Sequence, residues 1–328
     1  MFHLCKINRF FSLNNLSHII FLKFLQETVH ILRLSIMNTI ILLFLATSMS
    51  CSQNYVFPYA MQQPAQTFTL PASLHEISGL TISADGKHLI AVQDEAAKLL
   101  VINKADGELL SEVPFGEDGD FEGVEVAGDD IYAIKSSGTI YRICHFGKKN
   151  QRADKIKTSL DKTNNVEGVA FDAANNRLLL ACKGNAGAGE AFLFKRAIYG
   201  FDLSTQSLNP NPVYLISIED IRSFLEQHPG LQSHKKLSDT FAPGITDFGF
   251  CPSGIAIHPG TGDLYILSSV GKMLLVLSPA GQIRHIEKLD KDIHAQPEGI
   301  CFDKDGALYV ANEGRVKGPV IYRFYPKS

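Results

Sequence analysis

The sequence contains no tryptophan, no Cys-x-x-Cys pair, no Gly-x-Ser-x-Gly turn and no His-Glu-x-x-His segment. The last two absences exclude the hydrolase elbow and the zincin helix. The first, with no basic excess (net charge -3, pI ≈ 6.4), sets nucleic acid aside as a partner, because neither a stacking platform nor a phosphate-neutralising field is present. The six cysteines lack neighbouring histidines at zinc-ligand spacing. Cys144, Cys182, Cys251 and Cys301 each fall in or beside an expected strand, where the reading as small buried hydrophobes outweighs a disulfide. A bridge, if one formed, would join Cys182 to Cys251.

Long apolar runs are also missing. The apolar stretch after Met37 is too short for a comfortable membrane span and is followed by small residues and then Cys51, the pattern of a secretory signal. A cysteine directly after Ser50 resembles the lipidation site of bacterial lipoproteins. Ser48 stands where leucine is usual and no Lys or Arg follows Met37, so an uncleaved anchor stays open. Residues 1–36 read as an extension upstream of the true start, 37–50 as the signal, 51–65 as a tether and 66–328 as the folded domain.

What the chain does have is a repeat. Asn165-Val166-Glu167-Gly168-Val169-Ala170-Phe171-Asp172 is echoed at 76–82, 122–126, 253–258 and 298–303, each an acid or Ser, a Gly, and a short run alternating aliphatic with other residues. The glycines at 79, 123, 168, 254 and 299 are spaced by 44, 45, 86 and 45 residues. A strand-built period of this size implies an all-β propeller with four strands per blade. Five blades fit best, with six open because of the doubled step. That step is better explained by a helical insertion at 217–250, where Ser217 caps a segment with apolar residues at 218, 221 and 225 and a Pro229-Gly230 stop. The last blade ends one strand short, and the strand at 66–70 supplies the missing member.

In such a ring the first strands line the axis, so the repeated acids converge on one mouth. The loops entering first strands bring Glu76, Glu122, Glu167, Ser253 and Glu298. Those leaving second strands bring Asp94, Glu95, Lys135, Lys183, Ser268, Ser269, Asn312 and Glu313. Crowded carboxylates need a cation, shared protons or the lysines. Oxygen ligands without His or Cys favour Ca²⁺ or Mg²⁺, with Glu76, Glu122, Glu167 and Glu298 as the expected metal ligands. The competing reading has each Glu simply holding its turn by accepting backbone N–H groups of the next blade. The acids at 118, 120 and 122 read as a solvated turn, since the glycine and distal Glu of an EF-hand loop are missing. The glycine-rich segment 184–189 reads as a flexible rim, and His75, His258 and His294 as ordinary loop histidines.

His75-Glu76-Ile77-Ser78-Gly79-Leu80, Ala91-Val92-Gln93-Asp94-Glu95, Phe121-Glu122-Gly123-Val124, Pro297-Glu298-Gly299-Ile300 and Leu308-Tyr309-Val310-Ala311-Asn312-Glu313 occur in an order that resembles the SdiA-regulated family of bacterial envelope proteins. The resemblance spans roughly 71–326 and implies an exported propeller, without implying a reaction. Ser253 and the insertion depart from the family pattern and speak against a fully symmetric site. The expectation is an envelope lipoprotein, anchored through Cys51, that binds a cation or small ligand at an acidic mouth. A metal-dependent hydrolase of phytase-like or lactonase-like type, with Lys135 and Lys183 facing an anionic substrate, is one alternative. A scaffold for an envelope protein partner, using the inserted helix, is the other.

Overall fold

A computed structural model describes residues 55–245, 248–314 and 317–327, together with Arg33. The chain divides into two compact units, Met1–Tyr55 and Val56–Ser328. The expected signal at 37–50, Cys51 and, apart from Arg33, the expected upstream extension at 1–36 lie outside the described residues. No helix among the described residues is long and apolar enough to cross a membrane.

Val56–Ser328 is a five-bladed β-propeller. The first blade is β2 (Ile77–Ile82), β3 (His88–Gln93), β4 (Lys98–Asn103) and β5 (Leu109–Pro114). β6 (Phe121–Ala127), β7 (Asp130–Lys135), β8 (Ile140–Cys144) and β9 (Arg152–Ile156) make the second. In the third, β10 (Val166–Asp172) and β11 (Arg177–Cys182) precede β12 (Lys195–Asp202), whose outer edge takes both the two-residue β13 (Ser207–Leu208) and β14 (Tyr214–Ser217). The fourth is β15 (Cys251–Ile257), β16 (Leu264–Val270), β17 (Met273–Leu277) and β18 (Ile283–Lys288). β19 (Pro297–Phe302), β20 (Leu308–Asn312) and β21 (Val320–Phe324) form the last, and β1 (Gln66–Thr69) pairs antiparallel with β21 from Gln66↔Arg323 to Thr69↔Val320. Closure by a strand from the other end of the domain leaves no long open edge.

The insertion between the third and fourth blades holds two helices, one more than the sequence pattern indicates. α1 (Ile218–Gln227) opens with a capping box in which Ser217 and Asp220 satisfy each other's backbone N–H. α2 (His234–Thr240) was hidden because His234-Lys235-Lys236-Leu237-Ser238-Asp239-Thr240 offers one apolar residue, Leu237, and an uncapped start. Ile218, Ile221, Phe224 and Leu225 of α1 are buried in one core with Leu237, Phe241, Ile266 and Ile286. The apolar face that a scaffold would need is therefore spent inside the domain.

Two further differences bear on function. Residues 56–65, expected as tether, include Tyr59 and Met61, which are fully buried; the Tyr59 hydroxyl donates to Gly306 O at 2.7 Å. His294 lies in the loop before β19 but is fully buried, its Nε2 meeting Met61 O at 2.9 Å. The four cysteines of the domain are free thiols, three of them buried.

Candidate functional site

The repeated glycine has a steric cause. A Cβ on Gly79 would lie 2.6 Å from Gly123 Cα, one on Gly254 2.3 Å from Glu298 O, and one on Gly299 2.5 Å from Ser78 O. Gly79, Gly254 and Gly299 thus pack directly on the neighbouring strand's backbone, Gly123 and Gly168 pack on Val169 and Ile255 of the next strand, and the five glycines form a collar that leaves a cavity of only about 10 Å³ on the axis. The axis is not an open channel; the mouth is a blind cup above a closed floor.

The residue before each glycine sits on a β-bulge. Pairing runs Phe121↔Lys135 then Gly123↔Ile134, Val166↔Cys182 then Gly168↔Ala181, Pro252↔Ser268 then Gly254↔Leu267, and Pro297↔Asn312 then Gly299↔Ala311. Glu122, Glu167, Ser253 and Glu298 are the extra residues, and the bulge re-aims them towards the cup. In the first blade the irregularity falls between Ile77 and Leu80, so the counterpart is Ser78. Glu76, expected in this ring, stands outside it: it precedes β2, is half-buried and pairs with His75 at 3.5 Å, though its charge still acts on Asp94.

The second ring keeps the expected Asp94, Lys183, Ser269 and Glu313 but takes Ser136 in place of Lys135. Regular ladder pairing runs to Gln93, Lys135, Cys182 and Asn312, and in the fourth blade to Ser268 before a shift that skips Ser269; side chains alternate along a strand, so the cup receives the following residues: Asp94, Ser136, Lys183, Ser269 and Glu313. Lys135, expected at the mouth, instead donates to Asp118 O at 3.1 Å and lies over the Phe121 and Tyr141 rings. Asn312 is likewise turned out of the cup and is buried with no hydrogen-bond partner for its amide among the described residues. Glu95 is exposed at the rim.

Two serines hold the ring together. Ser78 Oγ donates to Glu122 O at 3.1 Å and Ser253 Oγ to Pro297 O at 2.7 Å, each stitching one inner strand to the next blade. The glutamate carboxylates accept no backbone N–H among the described residues, and only that of Glu122 reaches a neighbouring blade's serine. Glu122 accepts from Ser78 Oγ at 3.1 Å; Glu167 accepts from Asn165 Nδ2 and pairs with Lys183 Nζ, both at 2.7 Å. Buried Glu298 is hydrogen-bonded to Ser269 while its Oε2 has no hydrogen-bond partner among the described residues. The acid that does accept backbone N–H groups is Glu125, two residues past the Gly123 collar position: Thr81 Oγ1 at 2.6 Å, Val126 N at 2.8 Å and Phe171 N at 3.3 Å tie three blades together.

Asp120 is the residue that the sequence reading missed. In the 116–122 turn, Asp118 accepts from Ala97 N at 3.1 Å and caps the loop, whereas Asp120 turns inward. There it accepts from Ser136 Oγ and is hydrogen-bonded to Asp94. Asp94, Asp120 and Glu122 each offer a carboxylate oxygen within 4.8 Å of the others. The i, i+2 spacing of acids at 118, 120 and 122 was the available signal, obscured because it ends in a bulge rather than a calcium loop.

Electrostatically the cup is overcharged. Burial, then the charge of Glu167 and of Asp94, pushes Glu122 up to about 9. Burial lifts Glu298 to about 8 against the pull of Lys183. Burial and the hydrogen-bonded Asp120 lift Asp94 to about 7, while Asp120 itself is lowered, since the bonds from Asp94, Ser136 and Glu122 outweigh its burial. Glu167 is raised by burial despite Lys183. Lys183 is raised because the neighbouring Glu167 and Glu298 overcome its burial. Lys272 also reaches the cup: it sits at φ 51 in the Gly271-Lys272 turn, donates to Ser269 O at 2.6 Å, and is lowered by burial against the pull of Glu298 and Glu313. Asp94, Asp120, Glu122, Glu298 and Glu313 lie on the fifth, first and second blades, and the two lysines on the third and fourth, with Glu167 beside Lys183 on the third.

The sequence matches the family model described as SdiA-regulated over residues 59–185 and 211–323. The chain belongs to the SdiA-regulated family. The unmatched gap, 186–210, falls on the rim loop after Lys183 and on β12 and β13, so the inner strands that carry the two rings lie within the matched segments. No curated relative matches the sequence. Among solved structures, a glutaminyl cyclase from Myxococcus xanthus superposes with TM-score 0.53 at 10% identity, covering 81% of this chain and 96% of its own. A luciferin-regenerating enzyme gives 0.46 at 12% identity, with 81% and 97% covered. A gluconolactonase from Xanthomonas campestris gives 0.45 at 14%, with 76% and 72% covered. At these identities the likeness is one of fold, and a propeller serves many chemistries.

Proposed function

We propose that this family member is a binding protein of the bacterial envelope, anchored by lipid at Cys51, whose blind acidic cup holds a divalent cation, Ca²⁺ or Mg²⁺, and through it a small ligand. The observation that carries the reading is the division of labour at the bulges. At the bulges serine hydroxyls donate to the neighbouring blade's backbone, while the carboxylates of Glu122, Glu167 and Glu298 accept no backbone N–H among the described residues and so do not act as turn holders. Asp94, Asp120 and Glu122 converge closely enough to share one ion. Hard carboxylate oxygens without a soft donor match Ca²⁺ or Mg²⁺. A bound cation would lower the proton affinity of these acids and relieve their mutual repulsion.

The second reading is hydrolysis, favoured by Glu298. An acid kept protonated at neutral pH beside a cation can give a proton to a leaving group. Thermal-shift titration of the full chain tests the first reading. Ca²⁺ or Mg²⁺ at a hundred times Kd is expected to add about 2.7 kcal/mol, and Asp120→Asn and Glu122→Gln should abolish the gain. No shift at millimolar cation removes the cation reading. Turnover of a phosphoester or lactone that is lost in Glu298→Gln, with cation binding retained, would favour the enzyme. For the anchor, Cys51→Ala should release the protein from membranes; unchanged fractionation points to the uncleaved apolar segment.

A further inference from the structure

The lysine side of the cup continues into an apolar shelf. Leu193 and Phe194, 59% and 44% exposed, stand on the loop between β11 and β12, and exposed Val270 ends β16; both loops open on the mouth face. Phe194 has a φ of 56, a left-handed conformation that costs a bulky residue energy, yet its ring is held out to solvent. The shelf is fastened to the cup through Arg196. Its guanidinium donates to Gly184 O, next to Lys183, at 3.5 Å, to Phe250 O at 3.0 Å, and to Cys251 Sγ at 3.2 Å, and Cys251 pairs with Val270 in the ladder. By blade, the mouth face carries the carboxylate triad on the first and second, Lys183 with Leu193 and Phe194 on the third, and Val270 with Lys272 on the fourth. Glu298, buried between the two charged sides with its Oε2 lacking a hydrogen-bond partner among the described residues, faces the same space.

We propose that the cup binds an amphipathic oxyanion, a phosphate or carboxylate bearing a single alkyl or acyl chain. Its head lies between a cation on Asp94, Asp120 and Glu122 and the ammonium groups of Lys183 and Lys272, and its chain lies along Leu193, Phe194 and Val270. The proposal rests on the cation reading above. Three carboxylate oxygens leave an octahedral or larger coordination sphere unfilled, and an oxyanion is the group that both a hard cation and two ammoniums attract. The cup is recessed, with Glu167 and Glu298 each only 4% exposed at its floor, so a freely diffusing single-chain molecule fits it better than a headgroup fixed in a bilayer.

The test is calorimetry of the full chain, saturated with Mg²⁺, against ethyl, butyl and octyl phosphate. A fully covered methylene is worth about four-fold in affinity and a half-covered one about two-fold, so octyl phosphate, with four more methylenes, should bind roughly sixteen-fold tighter than butyl phosphate. Phe194→Ser should weaken octyl phosphate more than butyl phosphate and so shrink the octyl advantage. Lys272→Gln should weaken both by about ten-fold. Affinity independent of chain length, or an octyl advantage undiminished by Phe194→Ser, overturns the proposal. If Mg²⁺ stabilises the protein but no alkyl phosphate binds, the amphiphile fails and the cation site stands; if Mg²⁺ has no effect, both fail. Binding to phosphatidate vesicles in preference to octyl phosphate would also overturn it, in favour of a membrane headgroup.

Discussion

Replacing Glu298 by Gln changes one proton-binding group at the floor of the cup and little else in shape. In the folded protein this carboxyl titrates at about 8 against an ordinary 4.5. Between those two values the folded state keeps a proton that the unfolded chain has already released, so stability falls as pH rises through this window and is fully restored only below 4.5. At 1.36 kcal/mol per pH unit the ceiling is about 5 kcal/mol; with water and counterions entering the cup above Glu298, roughly 2 kcal/mol is a realistic loss by pH 9. For a domain of this size that is about 6 °C in Tm. The assay is thermal unfolding in chelator at pH 5, 7 and 9. Wild type should lose stability across the series, whereas Glu298→Gln should match it at pH 5 and exceed it at pH 9. Part of the slope should persist in the variant, from Glu122 and Asp94, which are raised in the same way. Adding Mg²⁺ or Ca²⁺ at pH 9 should restore wild type more than the variant. A flat wild-type profile from pH 5 to 9, or an equal decline in both proteins, would refute the account of an overcharged cup.

Other substitutions separate architecture from ligand. Glu125→Ala removes three hydrogen bonds and leaves Phe171 N without its carboxylate, so a loss of roughly 2–3 kcal/mol in denaturant unfolding is expected, with cation binding unchanged. Gly254→Ala drives a Cβ into Glu298 O and should cost at least about 2 kcal/mol and loosen the ring, seen as a lower denaturant midpoint. Lys135→Met should leave cation affinity within two-fold, because its ammonium serves the 116–119 loop instead of the cup, whereas Lys183→Met should lower stability by exposing Glu167 unpaired, most strongly at alkaline pH.

The sequence by itself determined the ring. Glycines at steps of 44 or 45 residues, with one doubled step, each followed by a short buried strand, specify repeated units that must share a core, and the 66–70 strand could only be the piece missing from the last blade. It also pointed to Glu122, Glu167 and Glu298, because a residue fixed beside the repeated glycine inherits the symmetry of the repeat. Strand pairing decided the rest. A bulge adds one residue to one strand, and side chains alternate with period two, so a shift of a single position moves a residue from the cup to the flank. That is why Ser78 rather than Glu76 and Ser136 rather than Lys135 face the axis, and why Asn312 does not. Asp120 joined the site only once Asp94 and Glu122 were brought to it from different blades. The closed floor, too, belongs to the tertiary structure: a glycine's permissiveness is written in the chain, but the backbone that fills the space it leaves comes from the neighbouring blade.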